Sequence, residues 1–514
     1  MTKLFALLRR LRRDDAGNTL AICAAAIIPL TAVIGSALDL SVAYMTRSRL
    51  QNACDAGVLA GRQLMQGTVF NQAVRNEADK FFDFNFPEGT AGSTEIEFIV
   101  EQDDDERAQL LGSASALVPT SLMRIFGYRN IPIEVTCDAT RDMGHNDIVL
   151  VLDVTGSMAD APSNGGGTKI GRLRSGAIGL FRALDTDDGS VTRYGIVPYS
   201  HTVNVGRSLQ NKDILRDQPY VDVQSNCNMF GCSYVYGTKW VHINQSSWNL
   251  GQGGGTAGNT QNFRTSGNAC IEERPSIGET MSPFRINSTI TQADVDTQAG
   301  NAGNQPQLQF GRYDPPQHTH SQTTVNGGVT FYRVGGNWIQ TGCPSEASRL
   351  QEYGGESAFQ AAIDAATARV TGGTYHDVGM LWGMRFLSRT GYFSADNPTE
   401  RSGIPVNQHI VFMTDGMLDT GTTLYSAHGI EARQQRTQGS GSLDARHIAR
   451  FHSACNVAKS MGMTVWVIAL DVTDTDDVAV CATTADHFYT SDGSDLEQVF
   501  ERIGQGIGNL RLTR

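Results

Sequence analysis

The hydrophobic and polar positions change their pattern several times along the chain, and each pattern predicts a different element. An uncharged apolar run extends from Thr19 to Leu38. The next segment, residues 41–82, contains no proline and many small residues, which is typical of a helix. Between residues 94 and 140, alternating and short apolar runs predict a small strand-containing module.

From residue 147 onward, continuous apolar runs alternate with amphipathic segments. This alternation predicts an α/β fold with a doubly wound, mostly parallel, Rossmann-like sheet. A helix at 169–184 carries apolar residues along one face, as expected for a helix that covers a sheet. The clearest strands are predicted at 147–153, 193–200, 408–415 and 463–471.

Residues 201–355 interrupt this pattern with a stretch rich in Gly, Asn, Gln, Ser and Thr. The stretch nevertheless holds three of the five tryptophans (Trp240, Trp248 and Trp338) and four of the nine cysteines. Disordered segments rarely carry so many aromatic residues, and a loop of this length is normally either functional or disordered. We therefore expect a large, partly ordered and functional insertion in the α/β domain, with one or two disulfides.

The apolar run near the N-terminus has the length of a membrane span. Its 20 residues would extend roughly 30 Å as a helix, which matches the hydrocarbon thickness of a bilayer. Four arginines between Arg9 and Arg13 precede the run, and such a basic flank stays on the cytoplasmic side. The length and the flank favour a retained single-pass anchor over a cleaved signal peptide or a buried core helix.

These patterns divide the chain into four regions. Residues 1–16 form a basic cytoplasmic tail, residues 17–45 the transmembrane helix, residues 46–145 a translocated helix with the small β module, and residues 146–514 the α/β domain. The small residues between positions 41 and 64 predict close packing against another helix, a partner's included, although a simple helical stalk explains the same pattern.

Charge and cysteine content exclude some classes of function. The chain has 41 Lys and Arg against 53 Asp and Glu, which gives a net charge of -12 and argues against nucleic acid as a partner. No cysteines form a Cys-x-x-Cys pair, which argues against zinc-ribbon and thioredoxin chemistry. In an exported chain the later cysteines are expected to form disulfides. We predict a bond between Cys455 and Cys481, because they flank one buried strand.

Five oxygen-bearing side chains follow the predicted strands in a pattern that suits a metal. The first strand ends in Asp153, with Thr155 and Ser157 at alternate positions after it, and a later strand ends in Asp415. Thr374 stands between them in a glycine-lined loop. Because ligands of open parallel sheets bind at the carboxyl ends of the strands, these side chains are expected at one edge. The alternative is that they cap helices and turns.

Two carboxylates and three hydroxyls are hard oxygen donors. They suit Mg²⁺, and Mn²⁺ or Ca²⁺ would accept the same donors, whereas zinc and copper prefer softer ligands. Two charged ligands roughly neutralise a divalent cation and leave coordination positions for water or for a carboxylate of a partner. The sequence therefore predicts a metal-bridged binding site that needs no general base.

The DVTGSM stretch at residues 153–158 and the TDG that closes a later strand resemble the von Willebrand factor A (VWA) family. The family pattern is Asp-x-Ser-x-Ser, a distant Thr and a distant Asp, and here Thr155 replaces the first serine. The resemblance covers residues 147–200 and about 356–510. It implies a VWA fold with a metal-ion-dependent adhesion site whose ligands are the five residues named above.

The N-terminal segment resembles TadE/TadG-like proteins of the tight-adherence (Tad/Flp) pilus system. The helix RSRLQNACDA, from Arg47 to Ala56, fits the family pattern, with Cys54 in place of the usual alanine. A span of this type joined to a C-terminal VWA domain is the TadG arrangement. Pilin-like relatives carry a glutamate five residues after a processing glycine, but Ile22 stands at that distance from Gly17, which argues against such processing.

Three functional hypotheses follow. The leading one is a single-pass protein of the bacterial inner membrane, with its bulk in the periplasm or at the surface, that takes part in pilus assembly or adhesion. Its VWA domain would bind an acidic residue of a pilus or envelope protein through Mg²⁺. The second is a structural scaffold without metal-dependent binding. The third, a metal-dependent phosphohydrolase, lacks a base and a second metal in the sequence, so we expect no enzyme.

Overall fold

In the computed structural model, the described residues fall into two compact units. One contains the chain up to Arg141 together with the short C-terminal strand Leu510–Arg511, and the other contains residues 144–185 and 190–507. The predicted basic tail lies outside the described residues, apart from its last two positions. The structure describes residues 15–65, 70–103, 109–141, 144–185, 190–209, 216–241, 269–299, 305–401, 404–416, 418–508 and 510–511.

The first unit packs two helices on an antiparallel sheet. Its elements are α1 (Asp15–Leu64), α2 (Gln72–Asn85), β1 (Thr94–Gln102), β2 (Gln109–Pro119) and β3 (Asn130–Arg141). The strands pair in the order β1-β2-β3, and the C-terminal strand adds to β3. The disulfide Cys54–Cys137 joins α1 to β3. The small strand-containing module is thus present, and the single helical segment expected over residues 41–82 is two helices.

The two halves of α1 have opposite environments. Most of the described apolar side chains in its N-terminal half are exposed, with Ile27 60% and Val33 68% exposed, whereas Leu50 and Val58 are buried in the core of the unit. Among the described residues, this helix alone is long and apolar enough to cross a membrane, by length and composition. Its apolar window is 12% buried, which distinguishes it from the core helix of a globular domain.

The small residues of α1 allow close packing within the unit. A side chain added at Gly61 would lie 3.1 Å from the Cβ of Ala78 in α2, and one added at Gly57 would meet the ring of Phe98. The close helix packing expected for residues 41–64 therefore occurs with the chain's own α2 and sheet. An association with a partner through this segment would have to use another face of the helix.

The second unit is a mixed α/β structure. Its helices are α3 (Lys169–Leu184), α4 (Gln292–Asp296), α5 (Glu356–Ala366), α6 (His376–Leu387), α7 (Glu431–Gln434), α8 (Leu443–Ser460), α9 (Asp476–Ala479) and α10 (Leu496–Ile507). Its strands are β4 (His145–Asp153), β5 (Thr192–Tyr199), β6 (Gln218–Asn228), β7 (Gly231–Val241), β8 (Ile271–Glu272), β9 (Gly311–Arg312), β10 (Thr323–Asn326), β11 (Val329–Val334), β12 (Asn337–Thr341), β13 (Ser348–Gln351), β14 (Glu400–Arg401), β15 (Ile404–Thr414), β16 (Tyr425–Ser426), β17 (Gly429–Ile430), β18 (Thr464–Leu470) and β19 (Phe488–Ser491).

A seven-stranded sheet organises the second unit, with the order β13-β5-β4-β15-β18-β19 and with β14 paired to the start of β15. Five neighbouring strands of this sheet, β5, β4, β15, β18 and β19, run parallel. The other two, β13 and β14, pair with it in the antiparallel direction. The other sheets described in the molecule are small and antiparallel. From β4 the chain first adds β5 on one side and later β15 on the other, so the order switches direction between β4 and β15.

Alternate side chains of the central strands enter two separate cores. Leu150 and Met413 pack with Leu173 of α3 on one face, where α5 and α10 also lie. Val151 and Phe412 pack on the other face, which α6 and α8 cover. A strand that is buried on both faces reads as a continuous apolar run, which explains why these strands were clear in the sequence. The mixed α/β class is confirmed.

The predicted insertion contains ordered small sheets in its described parts. The hairpin β6–β7 carries the disulfide Cys227–Cys232, and Cys270–Cys343 forms a second disulfide. The predicted boundary at residue 355 is too late, because β13 at Ser348–Gln351 already belongs to the central sheet and pairs with β5. The expected bond Cys455–Cys481 is also present. Trp248 lies outside the described residues.

Candidate metal centre

Asp153 and Asp415 are brought together by the pairing of β4 with β15. The register places Leu152 opposite Met413, so both chains leave the sheet side by side at its carboxyl edge. This is the point where the strand order switches direction, which is where open α/β sheets bind ligands. The Thr414 hydroxyl donates to Asp153 Oδ2 at 2.7 Å and joins the two strand ends.

Side-chain hydrogen bonds connect four of the five predicted ligands. The backbone N–H of Thr155 donates to Asp153 Oδ1 at 2.8 Å. The hydroxyl oxygens of Thr155 and Ser157 are 3.2 Å apart, and the Ser157 hydroxyl donates to Asp415 Oδ1 at 2.8 Å. The turn after β4 therefore aims one carboxylate and two hydroxyls at the carboxylate that follows β15.

The loop that carries Thr374 reaches this edge through its backbone. The Gly156 N–H donates to the carbonyl of Gly372 at 3.2 Å, so the loop before Thr374 lies against the turn after β4. Gly372 has a φ of +76°, and a Cβ there would collide with the ring of His201, 1.8 Å from Nδ1. Glycine is therefore required for this close approach. Thr374 itself is 5% exposed and its backbone pairs with Asp419.

The electrostatics of the two carboxylates indicate a shortage of positive charge. Burial, together with the charge of Asp415, raises the pKa of Asp153 to about 7. Burial also raises the pKa of Asp415, although Ser157 and Lys169 oppose the shift. Two buried carboxylates that repel each other favour a bound cation. The hard donors fit a divalent ion such as Mg²⁺.

Two charged residues at this edge were missed by the sequence analysis. The ammonium group of Lys169, the first residue of α3, lies 3.2 Å from Asp415 Oδ2 and 3.4 Å from Asp471 Oδ2. Asp471 follows β18 directly. A signal for Asp471 was available, because the strand predicted at 463–471 also ends in an aspartate. No sequence pattern marked Lys169 as a neighbour of these carboxylates.

A second buried carboxylate of the same unit lies in a different environment. Asp377 Oδ1 is 3.0 Å from His447 Nδ1, and its Oδ2 is 3.2 Å from Arg450 Nε and 3.8 Å from His428 Nε2. Two histidines and a carboxylate are also a ligand set for transition metals. However, Arg450 already compensates the charge of Asp377. Although burial opposes it, the His447, His428 and Arg450 contacts hold the pKa of Asp377 well below its usual range. We interpret this cluster as a structural network.

A family model matches the N-terminal segment. Residues 17–67 match the model of the Flp pilus-assembly TadE/G-like family. Over this segment, the chain is similar to pilus-assembly proteins. The match covers α1 except for its first two residues and does not reach the second unit. No curated protein matches the chain.

Several solved structures show a remote likeness. The pilus adhesin SpaC from Lactobacillus rhamnosus GG is 12% identical with a TM-score of 0.34, over 80% of this chain and 34% of that one. The adhesive tip pilin GBS104 from Group B Streptococcus agalactiae is 8% identical with a TM-score of 0.32, over 83% and 71%. The vWF domain of the pilus tip protein Mfa5 from Porphyromonas gingivalis is 14% identical with a TM-score of 0.21, over 71% and 95%. The chain thus spans about a third of the length of SpaC.

Proposed function

We propose that this protein is a membrane-anchored component of pilus assembly or adhesion whose second unit binds a partner through a divalent metal ion. The ligands would be Asp153, Thr155, Ser157, Thr374 and Asp415. The metal would be Mg²⁺, with Mn²⁺ or Ca²⁺ as substitutes. When bound, it would supply a positive charge that a carboxylate of the partner can complete.

The observation that carries this proposal is the pair of buried carboxylates at the switch point of the sheet. The charge of Asp415 and burial raise the pKa of Asp153 to about 7, while hydroxyls of Ser157 and Thr414 hold the two carboxylates in place. Burial and the repulsion between the two carboxylates are unfavourable, and Lys169 contacts only Asp415 of the two, so a bound metal ion would stabilise the pair further. The parallel strand order and the DVTGSM turn support the assignment of the second unit to the VWA fold.

The proposed location rests on the first unit and on the disulfides. The TadE/G-like match and the outward-facing apolar half of α1 support a single-pass anchor. Disulfide bonds occur from Cys54–Cys137 in the first unit to Cys455–Cys481 in the second. They favour an oxidising compartment for the part of the chain that follows the anchor. We propose the bacterial inner membrane, with the N-terminus in the cytoplasm and the bulk of the chain in the periplasm or at the surface.

The partner would be a pilus or envelope protein that offers an acidic residue. The test is to produce the full chain with Asp153→Asn or Asp415→Asn in a piliated host and to measure protein abundance, pilus assembly and adhesion, with and without chelator. Asp364→Asn, at an exposed helix position, is the matched control. We expect the two site variants to lose pilus assembly or adhesion at normal abundance, and chelator to reproduce the loss. Normal function of both variants would refute the proposal.

A structural scaffold is the second candidate function. The ion pair between Lys169 and Asp415 favours it, because it gives one carboxylate a counter-charge without a metal. In that case, the site variants would lower the abundance of the protein, and pilus assembly would fall only in proportion. Chelator would then have no effect on adhesion.

A further inference from the structure

Lys169 places an ammonium group between two carboxylates at the edge proposed to hold the metal. Its Nζ is 3.2 Å from Asp415 Oδ2 and 3.4 Å from Asp471 Oδ2, and its side chain is 11% exposed. Asp415 is a proposed ligand, whereas Asp471 is not. The chain therefore brings its own cation to a carboxylate that a metal ion would also use.

Both ends of this contact are fixed. Thr168 caps the helix by accepting a hydrogen bond from the Gly171 N–H at 3.2 Å, and the Lys169 N–H donates to the carbonyl of Asp160 at 2.9 Å. On the other side, Asp471 accepts hydrogen bonds from the backbone and the hydroxyl of Ser163. The ammonium group is thus held at the site by a capped helix and by an anchored carboxylate.

A fixed positive charge beside a metal site opposes the binding of a second cation. Like charges a few ångströms apart repel strongly where water is partly excluded. A divalent ion that binds Asp415 must either displace the ammonium group or remain close to it. Asp471 can keep the displaced ammonium group in an ion pair, because it already contacts Lys169 together with Asp415.

We propose that Lys169 is a tethered counter-ion that sets the metal affinity of this site. It neutralises Asp415 when no divalent ion is bound, and Asp471 retains it when one enters. This inference rests on the proposed metal site and adds an affinity-determining residue to it. The competition from Lys169 makes metal binding weaker than the five ligands alone would allow, and therefore reversible.

The test measures Mg²⁺ binding by calorimetry to the full chain in detergent. Lys169→Met removes the charge and keeps an apolar stem of similar length, and thermal unfolding reports whether the variant is folded. Lys459→Met is the matched control, because Lys459 lies away from the site. It stands near the C-terminal end of α8, just before β18 begins, whereas Asp471 follows the other end of β18. We expect Lys169→Met to bind Mg²⁺ at least about tenfold more tightly than the wild type. The Lys459→Met variant should bind like the wild type.

A second variant tests the role of Asp471. Asp471→Asn keeps an oxygen that can accept from Ser163 but removes the charge that retains the ammonium group. We expect weaker Mg²⁺ binding in the wild-type background and a much smaller effect in the Lys169→Met background. Equal effects in both backgrounds would show that Asp471 acts on the metal directly, which would overturn its role as the retaining group.

The outcomes separate this inference from the proposed function. If the wild type binds Mg²⁺ and Lys169→Met binds it equally or more weakly, Lys169 is not a competing counter-ion and the inference fails alone. If only Lys169→Met binds measurably, the inference is supported, because the wild-type site is then masked by its own lysine. If both folded proteins bind no metal, the inference and the metal site fail together.

Discussion

Two buried carboxylates in the second unit, Asp153 and Asp377, have opposite electrostatic environments. Burial and the charge of Asp415 raise the pKa of Asp153 to about 7. By contrast, the contacts of Asp377 with His447 and Arg450 overcome its burial and lower its pKa. Both side chains are fully buried, so burial alone does not distinguish them. The neighbouring charges do, and this contrast supports the proposal of a cation site at Asp153 and a structural role for Asp377.

The largest effect we expect is a loss of folding stability at acidic pH, caused by buried histidines that are neutral in the folded protein. Burial lowers the pKa of His201 to about 4, of His409 to about 4, of His318 to about 3 and of His428 to about 3. In the unfolded chain these histidines become protonated near pH 6.5, whereas in the folded chain they stay neutral until the pH is far lower.

The unfolded state is therefore favoured as the pH falls below about 6.5, with up to roughly 1.4 kcal/mol lost for each histidine and pH unit. Thermal unfolding of the full chain at pH 7, 6 and 5 should show a melting temperature that falls with the pH. His428→Asn should make the fall less steep. A melting temperature that is constant over this range would contradict the assignment of these histidines as neutral and buried.

Removal of the charge of Asp377 should destabilise the second unit strongly. Asp377→Asn leaves Arg450 buried without its counter-charge, and breaking such a pair costs about 3–5 kcal/mol in free energy of unfolding. Urea unfolding monitored by tryptophan fluorescence measures the change. A loss below about 1 kcal/mol would mean that water or another group compensates Arg450, and the contrast with Asp153 would lose its basis.

The corresponding change at the candidate metal site should be almost neutral. Asp153→Asn keeps an oxygen that can accept from the Thr155 N–H, and its amide NH2 can donate to the Thr414 hydroxyl, which in turn donates to the carbonyl of Gly416. The change also removes the repulsion with Asp415. We expect the free energy of unfolding without metal to fall by no more than about 1 kcal/mol, because the raised pKa of Asp153 means that its ionised form does not stabilise the folded protein. The same urea experiment provides the comparison. A loss as large as that of Asp377→Asn would show that the ionised Asp153 supports the fold rather than a cation.

The sequence predicted the central strands and the residues at their ends, because strands buried on both faces form unbroken apolar runs. It did not reveal that β13 joins the central sheet. This strand lies at the edge, is only partly buried and pairs with a single neighbour, so its sequence, Ser348–Gln351, carries no apolar run. The signal for the start of α2 was present but missed, since Asn71 caps the helix by accepting from the Ala73 and Val74 N–H groups.

At the candidate site, the sequence placed the two carboxylates at strand ends and the three hydroxyls in loops, but it could not place Lys169. Strand ends follow from apolar runs that stop at a carboxylate, and they are local features of the sequence. The position of Lys169 depends on how α3 packs against the sheet and on the cap at Thr168. Contacts of this kind link distant segments, and a periodic pattern does not encode them.

The most direct test of the account is a calorimetric titration of Mg²⁺ into the full chain in detergent, beside Asp153→Asn. We predict saturable binding of one ion per chain to the wild type and its loss in the variant, while both proteins unfold at similar urea concentrations. The metal site would be contradicted if the folded wild type bound no Mg²⁺ or Mn²⁺ and the Lys169→Met variant also bound neither ion. Equal binding by the wild type and Asp153→Asn would place the metal elsewhere.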